Sequence, residues 1–96
     1  MRVIEFINKL PPLVYSLYSE LVVSGNGLQV AQEYRYLYIE SGYDYSPIID
    51  MYRATLAFNG VSRGILAALD DQELHTALTN YTLIVAEEIA RRVTDV

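Results

Sequence analysis

The last quarter of the chain, residues 70–96, constrains the fold most. Asp70 can accept from free backbone N–H groups while Glu73, three residues on, reaches back, so Asp70-Asp71-Gln72-Glu73 has the form of a capping box. Leu74, Leu78, Tyr81, Val85, Ile89, Val93 and Val96 then recur at steps of three or four, the spacing that lines residues along one helical face. The pattern predicts one long amphipathic helix. About 25 residues rising ~1.5 Å each make a rod of roughly 37 Å. A compact domain of this size does not need that length, so the end of the rod is expected to reach a neighbouring chain.

Upstream, punctuation divides the chain into shorter helices. Val3, Ile4, Phe6, Ile7 and Leu10 form a helical pattern that Pro11 stops, because the residue before a proline avoids the α region. Pro12 suits the first turn of a helix over residues 12–23, whose apolar face carries Leu13, Val14, Leu17, Tyr18, Leu21 and Val22, and Ser24-Gly25-Asn26-Gly27 ends it. In residues 28–41 the alternation of Tyr34, Tyr36 and Tyr38 with Arg35, Leu37 and Ile39 matches a strand, whereas Val30, Tyr34, Leu37 and Tyr38 fit a helical face. The absence of Gly and Pro, with Gln29, Ala31, Gln32 and Glu33 at the start, favours helix, and Gly42 is its stop. Ser46-Pro47 predicts a helix start, with Ser46 as N-cap, and Ile48, Ile49, Met51, Tyr52, Leu56 and Phe58 make that helix apolar over much of its circumference. After Asn59-Gly60, Ser62 can cap a short helix over residues 63–69. The sequence therefore predicts an all-α fold, a compact bundle of five or six helices with a long C-terminal helix, as a single domain over residues 1–96 without a linker.

Composition turns this fold toward association. The hydrophobic fraction is 52% and only 20% of residues are charged, against roughly 25% in ordinary soluble domains. A 96-residue chain must cover a large surface relative to its core, so the surplus of apolar residues points to an interface. A membrane destination is disfavoured, since no window of about 20 residues is free of charges and of Pro or Gly breaks. The segment from Met1 to Leu10 is too short and too charged for a signal-peptide core, and a cytoplasmic protein is expected. Both ends are expected to be tied down against neighbouring copies. There is no cysteine, which excludes a disulfide framework, a thiolate nucleophile and a Cys-ligated metal site. The net charge of −5 opposes a simple nucleic-acid binder. Six of the seven cations are nevertheless Arg, which pairs with phosphate in a planar fork, and one well-placed Arg per subunit becomes a continuous line in a polymer.

Residues that could carry chemistry are few. His75, the single histidine, has Asp71 four residues before it, but two groups without a third make a poor metal site, and a solvated or capping histidine is expected. Glu87 and Glu88 face Arg91 and Arg92 four residues on, the orientation of helix ion pairs, so structural pairing is expected there rather than acid–base work. Arg35, Arg53 and Arg63 lie in largely apolar segments and are the candidate nucleic-acid contacts, although an Arg that satisfies helix-end carbonyls is the commoner use of such a residue. Asn80-Tyr81-Thr82 matches the glycosylation sequon, but Tyr81 belongs to the apolar stripe and no modification is expected. No GxGxxG, P-loop, HExxH, nucleophile elbow or CxxC occurs, and no enzyme, cofactor, metal or small-molecule substrate is expected.

The compositional oddity is nine tyrosines with no Trp and two Phe. Tyr offers a large apolar body with a polar tip, which suits a surface that is buried in a partner yet soluble before assembly. Tyr34, Tyr36, Tyr38, Tyr43 and Tyr45 cluster in one segment and are the expected self-association interface, a small core having room for two or three of them. Base stacking on nucleic acid needs interleaved cations, and Arg35 alone is present there. The expected function is a structural, self-assembling subunit, such as the coat of a rod-shaped or filamentous virion or a similar helical homopolymer, whose Arg-bearing face could line an enclosed nucleic acid. The alternative is a small acidic dimeric adapter or inhibitor that binds another protein through the tyrosine segment. A helix-turn-helix regulator ranks behind both, because a recognition helix over residues 63–69 has one cation and little polar readout chemistry.

Overall fold

The structure, a computed structural model, describes residues 10–94, with side chains through Arg91. Residues 2–9 of the N-terminal helical pattern, the side chains of Arg92 and Val93, Val96 and the packing of both ends lie outside what is described; Leu10 lies in a bend packed against the core. The described residues are helical, with no strand among them. The helices are α1 (Pro12–Val23), α2 (Gly27–Glu40), α3 (Ser46–Phe58), α4 (Arg63–Ala68), α5 (Asp71–Asn80), a π-helical turn (Tyr81–Val85) and α6 (Ala86–Thr94). The radius of gyration is 12.6 Å, the compactness of a globular chain of this length.

Local chemistry explains each boundary. Pro12 opens α1, where its fixed φ and missing N–H cost nothing. The turn to α2 is tight enough that a Cβ on Gly27 would sit 2.2 Å from the Leu21 carbonyl oxygen, so only glycine fits there. The segment that could have been strand is α2. Its 3.6-residue period wins because Val30, Ala31 and Tyr34 bury together on one face. α2 and α3 end alike: Tyr43 N–H reaches the Tyr38 carbonyl and Gly42 N–H that of Ile39, while Val61 N–H reaches Leu56 and Gly60 N–H reaches Ala57. These paired bonds satisfy the free carbonyls of a helix end and need a left-handed residue, supplied by Gly42 and Gly60. At the start of α3 the expected Ser46 cap is replaced. Ser46 is the first helical residue, and the Asp44 carboxylate accepts its N–H at 3.0 Å. Ser62 does precede α4, but its hydroxyl donates to Glu20 of α1 instead of capping.

The capping box at Asp70 is present in both halves: Glu73 N–H donates to the Asp70 carboxylate at 2.7 Å, and Asp70 N–H donates to the Glu73 carboxylate at 3.1 Å. Beyond it the helical backbone is not uniform α-helix. The Ala86 N–H bonds back to the Tyr81 carbonyl, five residues away, which makes Tyr81–Val85 a π turn between two α-helices. Thr79 and Thr82 hydroxyls donate to carbonyls of the preceding turn, a competition that loosens the regular ladder just where the widened turn begins. Leu74, Leu78, Tyr81, Val85 and Ile89, five positions of the predicted stripe, are all buried.

The core lies where α5 packs on α2 and α3 while α1 packs on α2 and α6. Leu17, Leu21, Ile49, Leu56, Leu74 and Leu78 fill it together with four tyrosines, Tyr18, Tyr34, Tyr52 and Tyr81. Buried hydroxyls need acceptors. Tyr18 donates to the Ala77 carbonyl at 3.0 Å and stacks obliquely on Tyr81 at 5.3 Å, so the rings join α1 to the start of the π turn. No helix among the described residues is long and apolar enough to cross a membrane.

Candidate functional site

The tyrosine segment divides between inside and outside. Tyr34 is wholly buried, which removes it from the expected self-association surface. Its position on the inner face of α2 puts its ring edge-to-face against Tyr52 at 5.1 Å and its hydroxyl 2.7 Å from His75 Nδ1. Tyr38 and Tyr45 are half-buried because they too close on His75, with ring centroids at 4.5 and 4.6 Å, Tyr45 nearly parallel to the imidazole. Tyr36 and Tyr43 remain exposed, at 63% and 69%. Tyr43 adopts φ +65°, a left-handed conformation unusual outside glycine, and its ring meets Tyr38 edge-on at 5.6 Å. Two of the five tyrosines are thus exposed, Tyr43 with its edge-on contact to Tyr38, and the other three close on His75 of α5.

His75 is accordingly partly exposed and packed against three tyrosine rings. Burial holds its pKa below the ordinary 6.5, and its Nδ1 shares a hydrogen bond with the Tyr34 hydroxyl whose direction is set by the ring's tautomer. Burial also raises the Tyr34 hydroxyl, with smaller contributions from Tyr38, Tyr45, Asp71 and Tyr52. Asp71, the other half of the conceivable metal pair, is engaged by Arg53 at 2.9 Å, and no metal-ligand cluster exists among the described residues.

The three candidate arginines part company. Arg53 on α3 donates to the carbonyls of Leu66 and Leu69 and pairs with Asp71, so one guanidinium closes the end of α4 and the start of α5. It is not available to an external phosphate in this conformation. Arg35 and Arg63 are exposed. Arg91 pairs with Glu87 at 3.5 Å and with Glu88 at 3.3 Å, one cation serving both carboxylates.

The surface carries more apolar area than the tyrosines. Val23, Leu28, Ile39, Met51, Phe58, Leu83 and Ile84 are all exposed, Phe58 at 91%. Five of them, Leu28, Ile39, Phe58, Leu83 and Ile84, gather at two places. A groove of about 540 Å³ runs beside the π turn between Leu28 of α2 and Leu83, Ile84 and Glu87, and a smaller one next to it holds Arg35, Tyr36 and Ile39. A second groove, of about 510 Å³, lies between α3 and α4 under Phe58, with Ala54, Ala57, Ala67 and Arg63. The sequence stripe could not reveal the first, because Leu83 and Ile84 were simply the residues left off it. Their adjacency was the one available signal.

No protein-family model, curated protein or solved structure matches the chain.

Proposed function

We propose that the chain is a structural subunit that assembles with copies of itself, its exposed apolar grooves being covered by neighbouring subunits. The observation that carries this reading is the clustering of Leu28, Leu83 and Ile84 beside one groove and of Phe58 above another. Apolar patches of this kind on a small acidic domain mark interaction sites rather than idle surface. Tyr36, Tyr43, Met51 and Ile39 extend the area available for contact. An extended C-terminal rod, packed as part of a helix bundle, would carry the π-turn groove and reach the next subunit.

The assembly we favour is a helical homopolymer of the coat-protein kind, made in the cytoplasm and, if it coats a virion, released with it. Arg35 and Arg63 are the cations suited to line an enclosed nucleic acid, Arg53 being occupied within the subunit. The decisive experiment is light scattering and electron microscopy of the purified chain over a wide concentration range, with and without DNA. Particles that grow with concentration support the reading. A monomer or a fixed dimer at every concentration, unmoved by DNA, refutes it.

A further inference from the structure

Taking that reading as the basis, we propose that the subunits join head to tail: Phe58 and Arg63 of one copy enter the π-turn groove of the next, with Arg63 against Glu87. The two grooves share no lining residue. One presents a projecting ring, since Phe58 is 91% exposed although Leu56, two residues before it, is fully buried. The Gly60 turn fixes the helix end that carries the ring, through the bonds of Val61 to Leu56 and of Gly60 to Ala57. The other is a recess of about 540 Å³ walled by Leu28, Leu83 and Ile84, within the size range of cavities that take a ligand of many atoms.

Charge selects this pairing of faces. Arg63 lies on the rim of the Phe58 groove, five residues along the chain from the ring, and no carboxylate pairs with it among the described residues. Arg53, in the same groove, is already matched by Asp71. The charged residue of the π-turn groove is Glu87. Its 3.5 Å link to Arg91 is between exposed groups one helical turn apart, a contact that costs little to share. Docking Phe58 into the recess therefore brings an unmatched cation to a carboxylate. Because knob and recess are different surfaces, the contact is heterologous, and repetition gives a ring or an open filament rather than a closed pair.

Complementation of two surface variants tests this. Phe58→Asp destroys the knob and leaves the recess, while the double variant Leu83→Asp/Ile84→Asp destroys the recess and leaves the knob. All three positions are exposed, and circular dichroism and thermal melts verify folding. Wild type should grow with concentration, each variant alone should stay monomeric, and an equal mixture should give a one-to-one heterodimer and nothing larger. Arg63→Glu or Glu87→Arg should each weaken assembly at least ~10-fold, a typical loss for a contributing contact residue, and the combined R63E/E87R chain should recover it. Wild-type assembly with no heterodimer in the mixture overturns the head-to-tail pairing but leaves self-association standing. No recovery in R63E/E87R overturns the Arg63–Glu87 contact. A wild type that never assembles overturns the pairing and the self-association reading together.

Discussion

Replacing Arg53 by methionine removes one guanidinium from three acceptors at once and should be among the most destabilising changes available outside the apolar core. Arg53 donates to Leu66 and Leu69 carbonyls at the end of α4 and to Asp71 in the first turn of α5. Its side chain is 22% exposed, so the carbonyls it serves are poorly placed to find water instead. The partner Asp71 is 55% exposed, and that arm contributes at most about 1 kcal/mol. Leaving a buried carbonyl without its partner costs about 1–3 kcal/mol, so the two carbonyls together contribute about 2–6 kcal/mol. With the ion pair the sum comes to about 2–7 kcal/mol, a large share of the roughly 5–15 kcal/mol that holds a domain of this size. At about 4–8 °C per kcal/mol for a chain near 100 residues, the melting temperature should fall by at least ~8 °C. Arg53→Lys keeps the charge and loses the fork, and should lie between. The assay is urea unfolding followed by circular dichroism. A methionine variant within ~0.5 kcal/mol of wild type, the scatter of ordinary surface changes, would show that the guanidinium does not close the α4–α5 junction.

Other expected outcomes rest on single contacts. Gly27→Ala places a Cβ 2.2 Å from the Leu21 backbone oxygen and should cost at least about 1–3 kcal/mol, the range for forced overpacking, read by the same unfolding assay. The His75 pKa is held down by burial, so below the ordinary 6.5 the unfolded chain takes up a proton that the folded chain resists; stability is full above that pH and falls as pH drops through it, and His75→Phe should flatten the acid limb of a stability–pH curve. Burial raises the Tyr18 and Tyr34 hydroxyls and pushes Tyr81 up to about 12, so their contribution is intact below pH 10 and is lost as pH rises beyond it, seen as alkaline unfolding that coincides with tyrosinate absorbance. Tyr18→Phe loses the bond to Ala77, whose carbonyl keeps the Tyr81 N–H, and should cost about 0.5–1.5 kcal/mol, the net contribution of one hydrogen bond.

Helix positions were legible in the sequence because local chemistry sets them. The Asp70–Glu73 box, the proline at α1 and the glycines after α2 and α3 act within a few residues of themselves, and a period of 3.6 decided residues 27–40 once a buried face was required. The distribution of tyrosines was not legible in the same way. Tyr34 and Tyr36 differ by two positions on one helix, which turns them about 200° apart, and although Tyr34 shares an apolar face with Val30 and Leu37, the sequence does not show that this face meets α5. That depends on His75, 41 residues away, whose Nδ1 gives the Tyr34 hydroxyl its hydrogen-bond partner. A polar tip can be buried only where a partner waits, and such partners are tertiary facts. Arg53 is the same case at a separation of 13 to 18 residues.

The π turn shows how a departure from regularity can be both local in cause and remote in effect. Threonine hydroxyls at 79 and 82 draw on the carbonyls of the turn before them, and the run Tyr81-Thr82-Leu83-Ile84-Val85 holds three β-branched residues that crowd an α-helix. Widening the turn keeps Tyr81 and Val85 buried while Leu83 and Ile84 face outward next to Leu28. A regular helix would bury one stripe and leave its back polar. Here the back of the stripe is apolar as well, in a chain whose charged fraction is 20%. An amphipathic helix with a second apolar face has a second surface to satisfy, and no segment among the described residues fills that groove. The excess hydrophobicity noticed in the composition thus has an address, at the one place where the C-terminal helical stretch is not α-helical.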